Sequence, residues 1–235
     1  MSLFQRRLII LAIGGIVVLY AVKQTFAINT VIVKSPQRTT EIQAEAVKQL
    51  SSNFRQGNML TFDSQDLTTK LRDADPIIKT IEVHRKWPHA VTLAVTLKQP
   101  SIGWSSGNQS FLLDREGGVI ATLPPKSTFP VVIDGSNLPV TIGARVTSVR
   151  FVEFVSGLQA ALPSTGIGIT QLEIKDTTLD LYVTTDKGYR LMLDTSRSVG
   201  EAITDLRAVL NTLALQKKTP AEYIDLRVAG KAYYK

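Results

Sequence analysis

The chain has 235 residues, 44% apolar and 20% charged, a composition that builds folded domains rather than disordered tails and leaves room for one large core or two small ones. It has no cysteine, which excludes disulfides, thiol catalysis and thiolate metal sites. Its net charge is +7, but residues 1–28 hold Arg6, Arg7 and Lys23 with no acid, and beyond them 24 basic residues are interspersed with 20 acidic ones; with no cationic stripe to grip phosphate, nucleic-acid binding is not expected.

Residues 8–22 are apolar except for Gly14, Gly15 and Tyr20, and the run extended to Ile28 has 21 residues. About 20 residues at 1.5 Å rise cross a bilayer, and a helix satisfies its own backbone there. A single membrane helix is therefore expected over 8–28, with Lys23 snorkelling. Arg6 and Arg7 on a short tail (1–7) keep the N-terminus cytoplasmic and send the rest across. The same segment also fits a cleavable secretory signal ending at Thr25-Phe26-Ala27. Either reading puts residues 29–235 outside the cytoplasm.

Residues 29–34 read as a strand broken by Ser35-Pro36. Thr40 is expected to cap a helix to Phe54, with Ile42, Val47, Leu50 and Phe54 inward. After a Gly57-Asn58 turn, Asp63 caps a second helix, with Asp66 at its third position and Leu67 and Leu71 inward; Asp75-Pro76 ends it. Two strands follow, over 77–85 and 91–97, joined at Trp87-Pro88-His89. A three-stranded sheet under two helices is a complete two-layer unit.

Gln99-Pro100 reads as a joint. Beyond it come short strands at 102–104, 111–113, 119–121 and 131–133, with a hairpin turn at Glu116-Gly117-Gly118. Thr147 is expected to cap a helix to Leu162, burying Val149, Val152, Val155 and Leu158. Strands at 172–174, 179–184 and 189–193 form a meander. Ser198 opens a helix burying Ala202, Ile203, Leu206, Val209 and Leu213. A strand over 223–228, a turn at Ala229-Gly230 and an extended piece over 231–234 finish the chain. The fold class is α+β: a membrane helix, a small three-stranded unit with two helices, and a mixed α/β region dominated by antiparallel sheet.

Catalytic chemistry finds no footing. His84 and His89 are the only histidines and lack convergent ligands for zinc. No nucleophile elbow, phosphate-binding loop or His-Glu-x-x-His helix is present. Helix capping accounts for Asp63 and Asp66. No enzyme activity, cofactor, metal or small-molecule substrate is expected. A terminal strand is a candidate sheet edge, able to accept a strand from a partner. Trp87 reads either as packing over the small sheet or as a partner anchor. Arg85 reads as a solvated strand charge, a partner of Glu82 or a contact to another protein.

Val83-His84-Arg85-Lys86-Trp87-Pro88, Leu113-Asp114-x-x-Gly117 and Tyr223-Ile224-Asp225-Leu226-Arg227 together resemble the signatures of the FtsQ/DivIB cell-division family, and Pro100 matches its proline after the next strand. Lys98, Leu97 and Ser35 depart from the usual Arg, Glu and Gly. The resemblance implies a POTRA domain over 29–99, a β-domain over 100–235, and a non-enzymatic divisome scaffold at the septum. It implies that the last strands receive FtsB, bound with FtsL, which points to Ile224, Asp225, Leu226, Arg227, Val228, Lys231, Tyr233 and Tyr234. Arg85 and Trp87 are candidate POTRA contacts. The rival readings are a POTRA-bearing secretion or chaperone component that binds extended polypeptides, and an exported hydrolase.

Overall fold

The computed structural model describes residues 3–52 and 57–235, with side chains in the first helix described at residue 7 and from residue 9 onward. Phe54, expected at the end of a helix, lies outside the described residues. The chain divides into two compact units, Met1–Lys98 and Gln99–Lys235.

The first unit begins with α1 (Leu3–Thr25), a helix of 23 residues. Every side chain described in it from Ile9 to Val22 is exposed, Leu11 to 75% and Leu19 to 71%. Among the described residues, no helix is long and apolar enough to cross a membrane. The uncharged stretch between Arg7 and Lys23 is about 22 Å long at 1.5 Å per residue, short of a hydrocarbon core of about 30 Å.

Three strands follow: β1 (Thr30–Lys34), β2 (Ile78–Lys86) and β3 (Ala90–Leu97), in the order β1-β3-β2. β1 runs parallel to β3, and β2 antiparallel to it through the Trp87-Pro88 turn, whose peptide bond is cis. The central strand buries Val91, Leu93, Val95 and Leu97, the alternation visible in its sequence. Helices α2 (Thr39–Ser51) and α3 (Ser64–Ala74) supply Ile42, Ala46, Leu50, Leu67 and Leu71 to the same core.

The start of α2 differs from expectation. Arg38, in a left-handed conformation at φ 57°, precedes the first turn with no side-chain cap, and Thr40 lies inside the helix. Val47 is exposed, because the buried stripe runs Ile42, Ala46, Leu50 at intervals of four and Val47 falls off it. α3 starts as its sequence implies: the Asp63 carboxylate accepts the Gln65 and Asp66 amides.

The second unit is one nine-stranded mixed sheet, in the order β12-β11-β10-β9-β8-β7-β4-β5-β6. Its strands are β4 (Pro100–Ser106), β5 (Gln109–Asp114), β6 (Val119–Thr122), β7 (Val131–Asp134), β8 (Ile169–Ile174), β9 (Asp180–Thr185), β10 (Arg190–Asp194), β11 (Tyr223–Asp225) and β12 (Tyr233–Tyr234). Antiparallel pairing dominates, but β4–β7, β7–β8 and β10–β11 are parallel. The helices α4 (Val149–Ala161) and α5 (Val199–Leu215) provide the crossovers that β7–β8 and β10–β11 require. Their core centres on Trp104, edge-on to Phe151 at 6.0 Å, with Leu158, Leu172, Leu181, Leu191 and Ile224.

Two details of α4 correct its sequence reading. Ser148, not Thr147, caps it, its hydroxyl accepting the Phe151 amide at 3.2 Å, while the Thr147 hydroxyl is buried without a partner. Val149 is exposed to 40%, and Phe151 and Phe154 take the core positions. Ser198 caps α5 in a full capping box with Glu201, and the serine amide and hydroxyl hold the Glu201 carboxyl below its ordinary pKa.

Candidate functional site: the C-terminal sheet edge

β11 sits between two neighbours. It pairs in parallel with β10 through Leu191↔Ile224 and Met192↔Asp225, and antiparallel with β12 through Ile224↔Tyr234 and Asp225↔Tyr233. Amide bonds from Arg190 to the Glu222 carbonyl and from Leu226 to the Met192 carbonyl, both 2.9 Å, close the β10 side. Ile224 is 0% and Leu226 1% exposed. Both margins of β11 are therefore taken by the chain itself, and its two apolar residues belong to the core.

Asp225 and Arg227 bend the chain out of β11. Arg227 donates through Nε and Nη2 to the two Asp225 carboxylate oxygens at 3.0 and 2.7 Å, and through Nη1 to Asp180 at 3.1 Å. Its backbone amide also donates to Asp225 at 3.1 Å. The Arg227 fork holds the Asp225 carboxyl below the usual carboxylate range and raises the guanidinium in turn. This local knot ends β11 after three residues. Arg197 tightens it from the start of α5, donating to the Leu226 carbonyl at 3.0 Å and to Asp205 at 2.7 Å. The chain then reverses through Val228 to Lys231, with Gly230 at φ +68° where other residues are strained.

β12 is the terminal strand of the sheet. Tyr223 and Lys235 exchange both backbone bonds, at 3.1 and 3.4 Å. Tyr234, one residue away, then takes the non-hydrogen-bonded position, and its N–H and C=O point away from β11. Tyr233 and Tyr234 are 55% and 41% exposed, Val228 is 49% exposed, and Lys231 is also exposed. Tyr234 shares a face with Ile224, its cross-strand partner. There, with Ala232, it borders a groove of about 230 Å³ completed by Ala208, Val209, Thr212 and Leu213 of α5. The contribution of α5 was not anticipated. Its sequence signal is the inward pair Val209 and Leu213 beside the small Ala208 and Thr212: Leu213 is buried as expected, but Val209 is only half-buried, which leaves it to line the groove.

The candidates in the first unit lie elsewhere. Arg85 does not pair with Glu82: three residues apart on a strand, the two point to opposite faces. Its guanidinium donates to the Phe62 carbonyl at 3.1 Å and lies 4.4 Å from the Phe62 ring centroid. Trp87 is 55% exposed and meets Phe26 edge-on at 5.9 Å. His84 lies 3.6 Å from Glu82. Among the described residues, no group of three or more His, Asp or Glu side chains could hold a metal ion.

Comparison with known proteins accounts for both units. Residues 26–96 match the FtsQ-type POTRA domain, and residues 103–227 match the C-terminal domain of cell division protein FtsQ/DivIB. Similar relatives, each named cell division protein FtsQ, include those of Chloroflexus aurantiacus (29% identical over 165 residues), Chloroflexus aggregans (27% over 161) and Streptomyces venezuelae (24% over 160). The first two alignments cover 67% of this chain and 57% of each relative, so the chain spans little more than half the length of the relatives it matches. With two FtsQ-type domain models lying in order along nearly all of the sequence beyond α1, the chain belongs to the FtsQ/DivIB family of cell division proteins.

Proposed function

We propose that the chain is a non-enzymatic scaffold of the divisome, linking early and late division proteins at midcell. In this reading residues 1–7 are a cytoplasmic tail, 8–28 a single membrane helix, 29–99 a POTRA domain used for recruitment, and 100–235 a β-domain that holds FtsB and FtsL outside the cytoplasm. The membrane helix is supported by α1, whose described apolar side chains are exposed on every side, a pattern that water does not favour and lipid does. The uncharged stretch falls short of the hydrocarbon core, so a spanning helix requires Arg7 and Lys23 to extend their charges toward the two interfaces.

One observation carries the docking mechanism: the outer margin of β12, where Tyr234 turns its backbone groups away from the sheet next to an apolar groove. A partner strand added there gains main-chain hydrogen bonds, and its alternate side chains fall over the groove or beside Tyr233. Of the residues implied by family resemblance, Val228, Lys231, Tyr233 and Tyr234 stay in the proposed contact as exposed groups. Ile224, Asp225, Leu226 and Arg227 act through the shape they give β12. Tethering to one membrane raises the effective concentration of the partners without any chemistry.

The test is replacement of Tyr233 and Tyr234 by glutamate in the full chain, followed by co-purification of FtsB and FtsL. Loss of capture by a folded variant is expected. Undiminished capture would remove the β12 edge from the interface.

A further inference from the structure

The junction between α1 and the three-stranded unit has no free linker. The Phe26 amide still donates to the Val22 carbonyl at 3.1 Å, continuing the helical pattern past Thr25. From there each residue up to β1 is bonded to the folded unit. The Met59 amide donates to Phe26 at 2.7 Å, Ala27 bridges Asn58, the Ile28 amide donates to Gly57 at 2.9 Å, and the Asn29 and Thr30 amides both reach the His89 carbonyl, at 3.1 and 3.3 Å. Two loops, residues 57–61 and the Trp87 turn, are thereby fixed against the end of the helix.

These loops present an unusual surface. The Trp87 ring stacks edge-on against Phe26 at 82°, yet is 55% exposed; Leu60 is 49% exposed, and Lys86 and His89 are also exposed. A large ring with an N–H at one end, an apolar neighbour and a cation match a water–lipid boundary, where tryptophan is enriched. Distance agrees. Measured from Gly15, the middle of the uncharged stretch, Phe26 lies about 16 Å along the helix. The hydrocarbon half-thickness is about 15 Å, and the headgroup layer continues to about 20–22 Å.

We infer that the Trp87 turn and Leu60 bind the headgroup layer of the bilayer, seating the three-stranded unit on the lipid surface instead of leaving it to swing from the helix. The inference rests on the membrane reading of α1. It supplies that reading with an orientation: the Trp87 turn faces the lipid, and Lys86 stands beside it to meet phosphates.

The experiment uses the full chain reconstituted into phosphatidylcholine–phosphatidylglycerol vesicles. Co-flotation after an alkaline wash reports whether α1 inserts. The chain has two tryptophans, and Trp104 is 2% exposed in the second core, so added quenchers report Trp87. The expected result is loss of most Trp87 emission to lipids carrying a nitroxide at the headgroup, little loss to acrylamide in the water, and no lipid quenching in Trp87→Phe. Flotation combined with acrylamide quenching and no lipid quenching would overturn the seating while leaving the anchor intact. Absence of flotation would overturn both.

Discussion

At the scale of single residues, Gly117 and Asp114 make the hairpin between β5 and β6. The Asp114 carboxylate is 1% exposed and accepts the Gly118 amide at 2.8 Å, while Gly117 sits at φ +79° against the backbone of Thr147. A methyl group on Gly117 would strike the Thr147 carbonyl, besides incurring the left-handed penalty. Gly117→Ala should cost about 2 kcal/mol or more, read as a lower denaturant midpoint of the second unit in the full chain. The Asp225–Arg227 knot makes a pH prediction. An unpaired aspartate titrates near 3.9, and Arg227 holds Asp225 below that. The pair's contribution is therefore complete above the free value and is lost as pH falls through the depressed one. Asp225→Asn should be less stable than the native chain at pH 7, with a gap that narrows below about pH 4; thermal melts across that range would show it, and a pH-independent gap would contradict it.

At the scale of elements, helix starts depend on single oxygens. Ser198→Ala removes the hydroxyl that accepts the Glu201 amide while leaving the backbone N–H that donates to the Glu201 carboxylate. Losing this half of the α5 capping box should cost about 1 kcal/mol, measurable by thermal melting. Legibility varied in the same way. Asp63 and Ser198 each stand immediately before a helix and three residues before an acid, Asp66 and Glu201, and could be read directly. Thr147 and Ser148 offer two hydroxyls in succession, and only the three-dimensional turn decides which one meets the Phe151 amide. α2 starts at a left-handed Arg38, a conformation that residue type does not advertise. Val149 and Val47 satisfied a helical count but missed the buried face, where Phe151 and Ala46 made the contact. Strands fared better: alternation in β3 correctly placed Val91, Leu93, Val95 and Leu97 inside, although Thr92 between them is buried as well.

At the scale of the molecule, strand order was the least legible feature. β4 pairs with β7 and β7 with β8 across long stretches of sequence, and parallel neighbours leave no turn signature. The position of the C-terminal edge was half legible: a last strand suggests a margin, but only the return of the chain at Gly230 shows that β11 is enclosed and β12 exposed. The α5 side of the groove required the fold. A scaffold at midcell also predicts that a fluorescent fusion forms a band there and that depletion yields filaments or chains; a diffuse fusion with normal division would contradict it. The most direct test is hydrogen exchange of the peptide spanning residues 228–235 in the full chain, with and without bound FtsB–FtsL. Slowed exchange at the Tyr234 amide is expected on binding. Unchanged exchange there, with protection appearing on another surface, would contradict docking at β12.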